Sequence, residues 1–227
     1  MTVRINKPAL NLREELTKAQ SVVPYSQQQF WMDGFVENGT FDDGTTGWTA
    51  VGGVLSVVSG TLKVEDTSGT FGYAIQNFST EVGKKYAVSL DLVDTSNSTG
   101  NYVILGSTSD NDLYTNSSLG TTPNTHWTFT FVAQTNASSI RFTGGLGIGK
   151  YTTYDNVAVF EIDENDNVIH SLPLGFKPLH VYEDGLIQRE GDVHDYTVVK
   201  TGGAYAIKPT VQPTATTETC VIAEREL

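Results

Sequence analysis

Cysteine is nearly absent. Cys220 is the only one in 227 residues, which excludes an internal disulfide framework and a zinc site built on several thiolates. Basic residues are scarce as well. Fourteen Lys and Arg stand against 26 Asp and Glu, a net charge of −12. Such a chain repels phosphate backbones, and no basic stripe offsets this, so nucleic-acid binding is disfavoured. No apolar run approaches the ~20 residues of a membrane span, which argues against membrane insertion. Residues 1–20 do not read as a signal peptide, because Arg13, Glu14 and Glu15 interrupt them and no small-residue cleavage site follows. The expectation is synthesis in a cytosol, with any export occurring as part of a larger particle.

Catalytic signatures are lacking too. His126, His170, His180 and His194 are scattered without metal-ligand spacing, no G-x-S-x-G elbow exists, and Cys220 carries no nucleophile signature. The stretch Gly144-Gly-Leu-Gly-Ile-Gly-Lys150 has the outline of a phosphate loop. Tyr151 follows where a Ser or Thr would ligate magnesium, and the residues beyond are strand-like, so a glycine-rich turn is the better reading. The acidic pairs Asp42-Asp43 and Asp110/Asp112 could form a glycosidase pair in principle, but in an acidic β protein they read as solvated loop carboxylates. The chain is therefore expected not to be an enzyme.

Apolar residues make up 38% of the chain and charged residues 18%. Gly, Thr, Ser and Asn fill the gap, a composition that favours short strands and turns over helices. One helix is predicted, over 8–20, with Asn6 as its cap and Pro8 in its first turn. Leu12, Leu16 and Ala19 share one face of it. About three turns are marginal alone, so this stripe either packs on its own domain or docks into another subunit. Residues 22–29 read as an extended connector. From 35 to 162 the period is two throughout, with strands expected at 54–58, 61–65, 71–75, 86–93, 102–106, 127–133, 139–143 and 154–162. Tyr86, Val88, Leu90 and Leu92 fall on one face, as do Trp127, Phe129 and Phe131. The polar run 163–167 marks a boundary, and 163–227 reads as a second β unit with a turn at Glu183-Asp-Gly185. The predicted organisation is an anchor and connector (1–34), a two-sheet sandwich (35–162) and a small C-terminal β domain (163–227), all-β apart from the anchor helix.

Across the middle region, Asn38-Gly-x-Phe41-Asp42-x-Gly44, Gly47-Trp48, Lys85-Tyr86-x-Val88-Ser89, Trp127-x-Phe129-x-Phe131, Ile140-x-Phe142 and Tyr154-Asp155-Asn156-Val157 resemble carbohydrate-binding modules of the family 4/9 type, which are jelly rolls. That resemblance implies a jelly-roll β-sandwich. It also implies a structural calcium between the start of the domain and the last strand, with Glu37, Asp42 and Asp155 as the candidate ligands; the alternative is turn carboxylates bonded to backbone N–H groups. Sugar binding would need exposed aromatic platforms. Tyr73, Tyr102, Tyr114 and Tyr151 are the candidates, with burial in the core as the alternative for each. The two ends resemble bacteriophage virion proteins. One resemblance runs over Asn6-Lys-Pro8-Ala-Leu-Asn-Leu12-Arg-Glu-Glu-Leu16. The other covers Val181-Tyr-Glu-Asp184-Gly185-Leu-Ile-Gln188 with Asp195-Tyr-Thr-Val198, and is to a small β domain of fibres and appendages. They imply a capsid decoration or short fibre protein residing in the virion, or a tail or neck appendage. The implied partners are other virion proteins, such as the major capsid protein, and further copies of the chain, a trimer by analogy. A free or cell-surface sugar-binding module is the alternative of another class.

Overall fold

The computed structural model describes residues 27–31, 34–98, 101–107, 113–191, 195–201, 203–211, 213, 217 and 219–225. Two compact units are present, and each contains only strands and turns among the described residues. The first spans 34–169. Its strands are β2 (Thr49–Val51), β3 (Gly53–Val58), β4 (Thr61–Asp66), β5 (Phe71–Ser79), β6 (Lys85–Thr95), β7 (Asn101–Ser107), β8 (Leu113–Gly120), β9 (Thr125–Val132), β10 (Ala137–Leu146) and β11 (Tyr151–Ile162). They form two five-stranded antiparallel sheets. Sheet I has the order β2-β5-β10-β7-β8, and sheet II has the order β3-β4-β11-β6-β9. The chain crosses repeatedly from one sheet to the other, which is a jelly-roll sandwich.

Period-two patterning builds the core. On β6, Tyr86, Val88, Leu90 and Leu92 are buried. They stand opposite Phe131, Phe129, Trp127 and Thr125 of β9. The rings of Tyr86 and Phe131 stack with centroids 5.4 Å apart. Sheet I answers with Ala74, Phe78, Val103, Leu105, Ile140 and Phe142. Each fully buried side chain of this size contributes roughly 1.5–3 kcal/mol of transfer free energy. Phe142 lies 4.9 Å from the Tyr154 ring and 5.1 Å from Trp48, which in turn meets Phe41 at 5.7 Å. Phe41 and Trp48 thus close one end of the sandwich. Residues 35–39 continue sheet II where β4 ends: Phe35 N–H donates to the Val159 carbonyl and Val157 N–H to that of Gly39. Glycine is required at 39, because a Cβ there would lie 1.9 Å from the Val157 carbonyl oxygen.

The second unit combines β1 (Gln27–Trp31) with β12 (His170–Ser171), β13 (Phe176–Glu183), β14 (Leu186–Ile187), β15 (Tyr196–Thr201), β16 (Ala204–Pro209) and β17 (Thr219–Arg225). Its sheets have the orders β1-β17-β13-β14 and β12-β16-β15. Leu172, Val181, Tyr196, Ile207, Val221 and Ala223 form its core. The β13–β14 hairpin turns at Asp184 (φ 47°) and Gly185 (φ 81°). Two successive positive φ values make the type I′ turn that matches strand twist, and Asp-Gly is a favoured pair for it.

Two segments differ from the sequence expectation. Part of the predicted connector is strand β1, because Gln27–Trp31 pairs in register with Cys220–Glu224 of β17. The polar run 163–167 is a tight turn attached to the first unit: Asp163 Oδ1 accepts from the backbone of Asn165 and Asn167, and Ile162 bridges Val168 just beyond. The predicted helix, with Pro8, Leu12, Leu16 and Ala19, lies outside the described residues.

Candidate binding face

Sheet I turns its alternate residues outward. On β5 the large outward side chains are Phe71, Tyr73 and Ile75, while the inner phase holds Gly72, Ala74, Gln76 and Phe78. On β7 the outward residues are Tyr102 and Ile104, and on β10 Arg141 lies between buried Ile140 and Phe142. Register sets these in rows across the sheet. Thr143 of β10 stands opposite Tyr73, and its hydroxyl accepts the Tyr102 N–H at 2.8 Å, so Tyr73, Thr143 and Tyr102 form one row. Arg141 is flanked by Ile75 and Ile104 in the next outward row. Two inter-strand spacings separate the tyrosine backbones, about 10 Å. Phe71 bridges that gap. Its ring is 6.4 Å from Tyr73 and 6.0 Å, edge-on, from Tyr102. The result is a half-exposed aromatic strip across one end of the face, with the guanidinium one row below.

The strip rests on a built support. Phe71 follows the turn after β4, and Asp66 holds that turn. Asp66 Oδ1 accepts from Ser68 N–H, Ser68 hydroxyl and Gly69 N–H at 2.8, 2.8 and 3.2 Å, while Oδ2 accepts from Gly147 N–H at 2.8 Å. One carboxylate thereby ties the β4–β5 turn to the glycine-rich β10–β11 turn. It is fully covered yet close to the surface. Burial alone would raise its pKa, but the hydrogen bonds from Ser68, Gly147 and Gly69 outweigh that and hold it below the ordinary carboxylate value. The stretch that resembles a phosphate loop is therefore half of a structural turn pair. On the sandwich's inner side, Gln76 clamps the domain start: its Oε1 accepts Glu37 N–H at 2.7 Å and its Nε2 donates to the Glu37 carbonyl at 2.9 Å.

Of the four tyrosines expected as sugar platforms, Tyr73 and Tyr102 share this face. Tyr151 does not. It stands on the outer face of sheet II, beneath the Lys63 ammonium at 4.7 Å, with its hydroxyl donating to Asp94 at 3.0 Å. That hydrogen bond and the Asp94 charge raise its pKa. The Tyr114 side chain lies outside those described. Phe71 and Arg141 are functional candidates that the sequence reading passed over. The signal was present in the inverted alternation of β5, whose bulky residues occupy one phase and small ones the other.

The three residues expected to hold calcium are not brought together. Asp155 pairs across the strands with Asp91, and Asp42 lies near enough to act on its charge. Burial, opposed by the Asn156 N–H and reinforced by the charges of Asp91 and Asp42, raises the Asp155 pKa. Asp91 is already engaged, by His126 Nδ1 at 2.6 Å and by Asn156 Nδ2, which donates at 2.8 Å. Asp42 accepts the Thr40 hydroxyl at 2.9 Å. The Glu37 carboxylate sits instead beside Gly47. Among the described residues no group of three or more His, Cys, Asp or Glu side chains is placed to hold a metal ion.

A depression of about 130 Å³ lies at the domain start, lined by Val36, Asn38, Gly39 and Val157 among others. It is well below the ~300–1,000 Å³ of small-molecule pockets.

No protein-family model matches the sequence, and neither does any curated protein. Solved structures with related strand arrangements exist. A CBM4 structure is 18% identical, with 56% of this chain and 99% of that one aligned and a TM-score of 0.47. The N-terminal cellulose-binding domain of β-1,4-glucanase C from Cellulomonas fimi is 23% identical over 57% of this chain and 97% of that one, with a TM-score of 0.44. The enzymatically active domain of tailspike protein 4 from bacteriophage CBA120 is 12% identical over 57% of this chain and 21% of that one, with a TM-score of 0.45. At this level of overlap the likenesses assign neither a family nor a ligand to this chain.

Proposed function

We propose that the protein is a non-enzymatic binding module that holds an extended polysaccharide on the outer face of sheet I. The observation that carries this reading is the aromatic strip of Phe71, Tyr73 and Tyr102. Sugar rings present apolar C–H faces that stack on aromatic side chains, while their hydroxyls need hydrogen-bond partners at the edge. Arg141 places a guanidinium one row from the strip. Binding by affinity electrophoresis against a panel of polysaccharides tests it. The wild type is expected to bind at least one polymer, and Tyr73→Ala with Tyr102→Ala is expected to weaken that binding by tenfold or more with thermal unfolding still cooperative. Wild-type failure to bind any polymer at millimolar sugar, or unchanged binding by the double variant, overturns it.

The setting we propose is the bacteriophage virion, as a capsid decoration or short fibre protein; a tail or neck appendage is the close second, and a free or cell-surface module the alternative. The sequence features at both ends support display on a particle. So does the presence of a second compact β unit with its Asp184-Gly185 hairpin. Its partners would be other virion proteins and further copies of this chain. Mass spectrometry of purified particles tests this, and absence of the protein overturns it. Leu12→Asp with Leu16→Asp is expected to leave both β units folded and to abolish incorporation. Incorporation at wild-type occupancy would remove the 8–20 segment as the anchor.

A further inference from the structure

From Gly44 to Leu62 the chain carries no charged residue, although it holds 26 Asp and Glu and 14 Lys and Arg. That run builds one side of the sandwich. It contains β2, an edge of sheet I, and β3, an edge of sheet II, joined through Gly52 alone. All of β2 is exposed, and β3 exposes Val54, Ser56 and Val58 on its outer face. Val54 is 54% exposed and Val58 48%. Among the described residues, β3 pairs with β4 only. Open edges are normally guarded by charge, proline or a bulge. β3 has no charge and no proline, and its register with β4 is unbroken. β9, the opposite edge of sheet II, exposes His126, Thr128 and Thr130 ahead of Val132.

Strand alternation fixes the backbone groups at this edge. Asp66 N–H donates to the Lys150 carbonyl, so Asp66, Val64 and Leu62 turn their amides to β11. The alternate residues Glu65, Lys63 and Thr61 turn theirs to β3, where they stand opposite Val54, Ser56 and Val58. The N–H and C=O of Leu55 and Val57 therefore point to the open edge. An added strand is what satisfies such a row.

We infer that β3 pairs with β3 of a second copy, antiparallel about a two-fold axis through Ser56. The stretch Val54-Leu-Ser-Val-Val58 reads almost alike in both directions, as a two-fold contact requires. With Ser56 opposite the partner's Ser56, Val54 meets the partner's Val58 on the outer face, and Leu55 meets the partner's Val57 on the core side. In that register Leu55 and the partner's Val57 exchange N–H···O bonds through the very groups that point outward. A slip of two residues sets Gly53 against the partner's Val57 and loses both apolar pairings.

Charge favours the same partner. Copies of net charge −12 repel, so they meet only on a side without carboxylates, which this run supplies. Glu65 stands in the row of Val54, and across the axis that row ends on the partner's Thr61. Lys63 shares the central row with the partner's Lys63, three strand spacings or ~14 Å away and beyond the ~8 Å Debye length. A six-residue edge is small against the ~1,200–2,000 Å² of stable interfaces, so the association is reversible. The inference rests on neither the polysaccharide nor the virion reading.

Sedimentation velocity of the whole chain tests it. The wild type is expected to dimerise between micromolar and millimolar concentration. Ser56→Lys sets two lysines on the axis, with Cα atoms about 4.5 Å apart in a non-hydrogen-bonded pair, and should weaken the dimer at least tenfold with unfolding still cooperative. The same spacing suits a disulfide. Ser56→Cys should form a covalent dimer on mild oxidation. Val54→Cys should not, because its two copies lie four residues apart along the paired strands, about 14 Å. The wild type, with Cys220 buried, is the blank. A wild-type monomer at millimolar concentration overturns the inference. So does a dimer or larger oligomer that Ser56→Lys leaves intact, or equal cross-linking by both cysteine variants. If Ser56→Lys does not fold, the cysteine pair decides the matter.

Discussion

Sheet I and sheet II bury the same kind of surface and expose different ones. Facing inward, Ile140 and Phe142 of one sheet and Val88 and Leu90 of the other are chemically interchangeable. Facing outward, sheet I presents Phe71, Tyr73, Tyr102 and Arg141, whereas sheet II presents Lys63, Glu65, Asp94, Asp155 and other charges. Outward positions add little to the fold, so their composition is free to differ between the two sheets.

The largest expected effect comes from the core that both sheets share. Phe142→Ala removes a fully buried ring in contact with Tyr154 and Trp48. It should destabilise the sandwich by about 3–5 kcal/mol, measured by chemical denaturation. A loss under 1 kcal/mol would mean that the end of the sandwich is not closed as described.

Asp66 links sheet I to sheet II through two turns. Asp66→Ala leaves the Ser68, Gly69 and Gly147 donors without an acceptor and should cost about 1–3 kcal/mol at pH 7. Its folded pKa lies below the ordinary 3.8, so the stabilisation is present above that value and is lost as pH falls through the lowered one. The variant should lack that limb of the acid-unfolding curve, and an unchanged limb would refute the assignment.

On sheet II the sign reverses. Asp155 has a raised pKa through burial and the charges of Asp91 and Asp42. Its ionised form disfavours the fold above that pKa, and the penalty is relieved as pH falls through it towards the unfolded value. Asp155→Asn should therefore leave stability at neutral pH equal or up to about 0.5 kcal/mol higher. A clear loss of stability would mean that the carboxylate is held by a favourable partner.

The smallest effect is the control that separates the two faces. Tyr151→Ala on sheet II should leave polysaccharide affinity unchanged in the titrations that Tyr73→Ala with Tyr102→Ala disrupts. Equal losses from both changes would erase the functional difference between the sheets.

Much of the fold was legible in the sequence because period-two alternation reports burial directly. Strands β3, β4, β6 and β9 fall within a residue or two of where Val54, Thr61, Tyr86 and Trp127 begin their runs, and the Asp184-Gly185 turn follows from which residues tolerate positive φ. Strands β2 and β8 were not legible. Thr49–Val51 is too short to show a period, and Leu113–Gly120 is mostly Asn, Ser and Thr. The face on which each aromatic stands was not legible either. Tyr73 and Tyr151 look alike in sequence, each an aromatic in a strand near a glycine. Only pairing registers put Tyr73 across from Thr143 on sheet I and Tyr151 across from Glu65 on sheet II. Alternation along a strand says that two faces differ, whereas which face meets the other sheet depends on partners tens of residues away. The sequence by itself determined an acidic, cysteine-poor, all-β chain with its strands nearly in place. The tertiary structure decided that Phe71, Tyr73, Tyr102 and Arg141 share one surface while the side chains of Glu37, Asp42 and Asp155 do not gather into one cluster, because convergence is set by long-range register that local patterning does not encode.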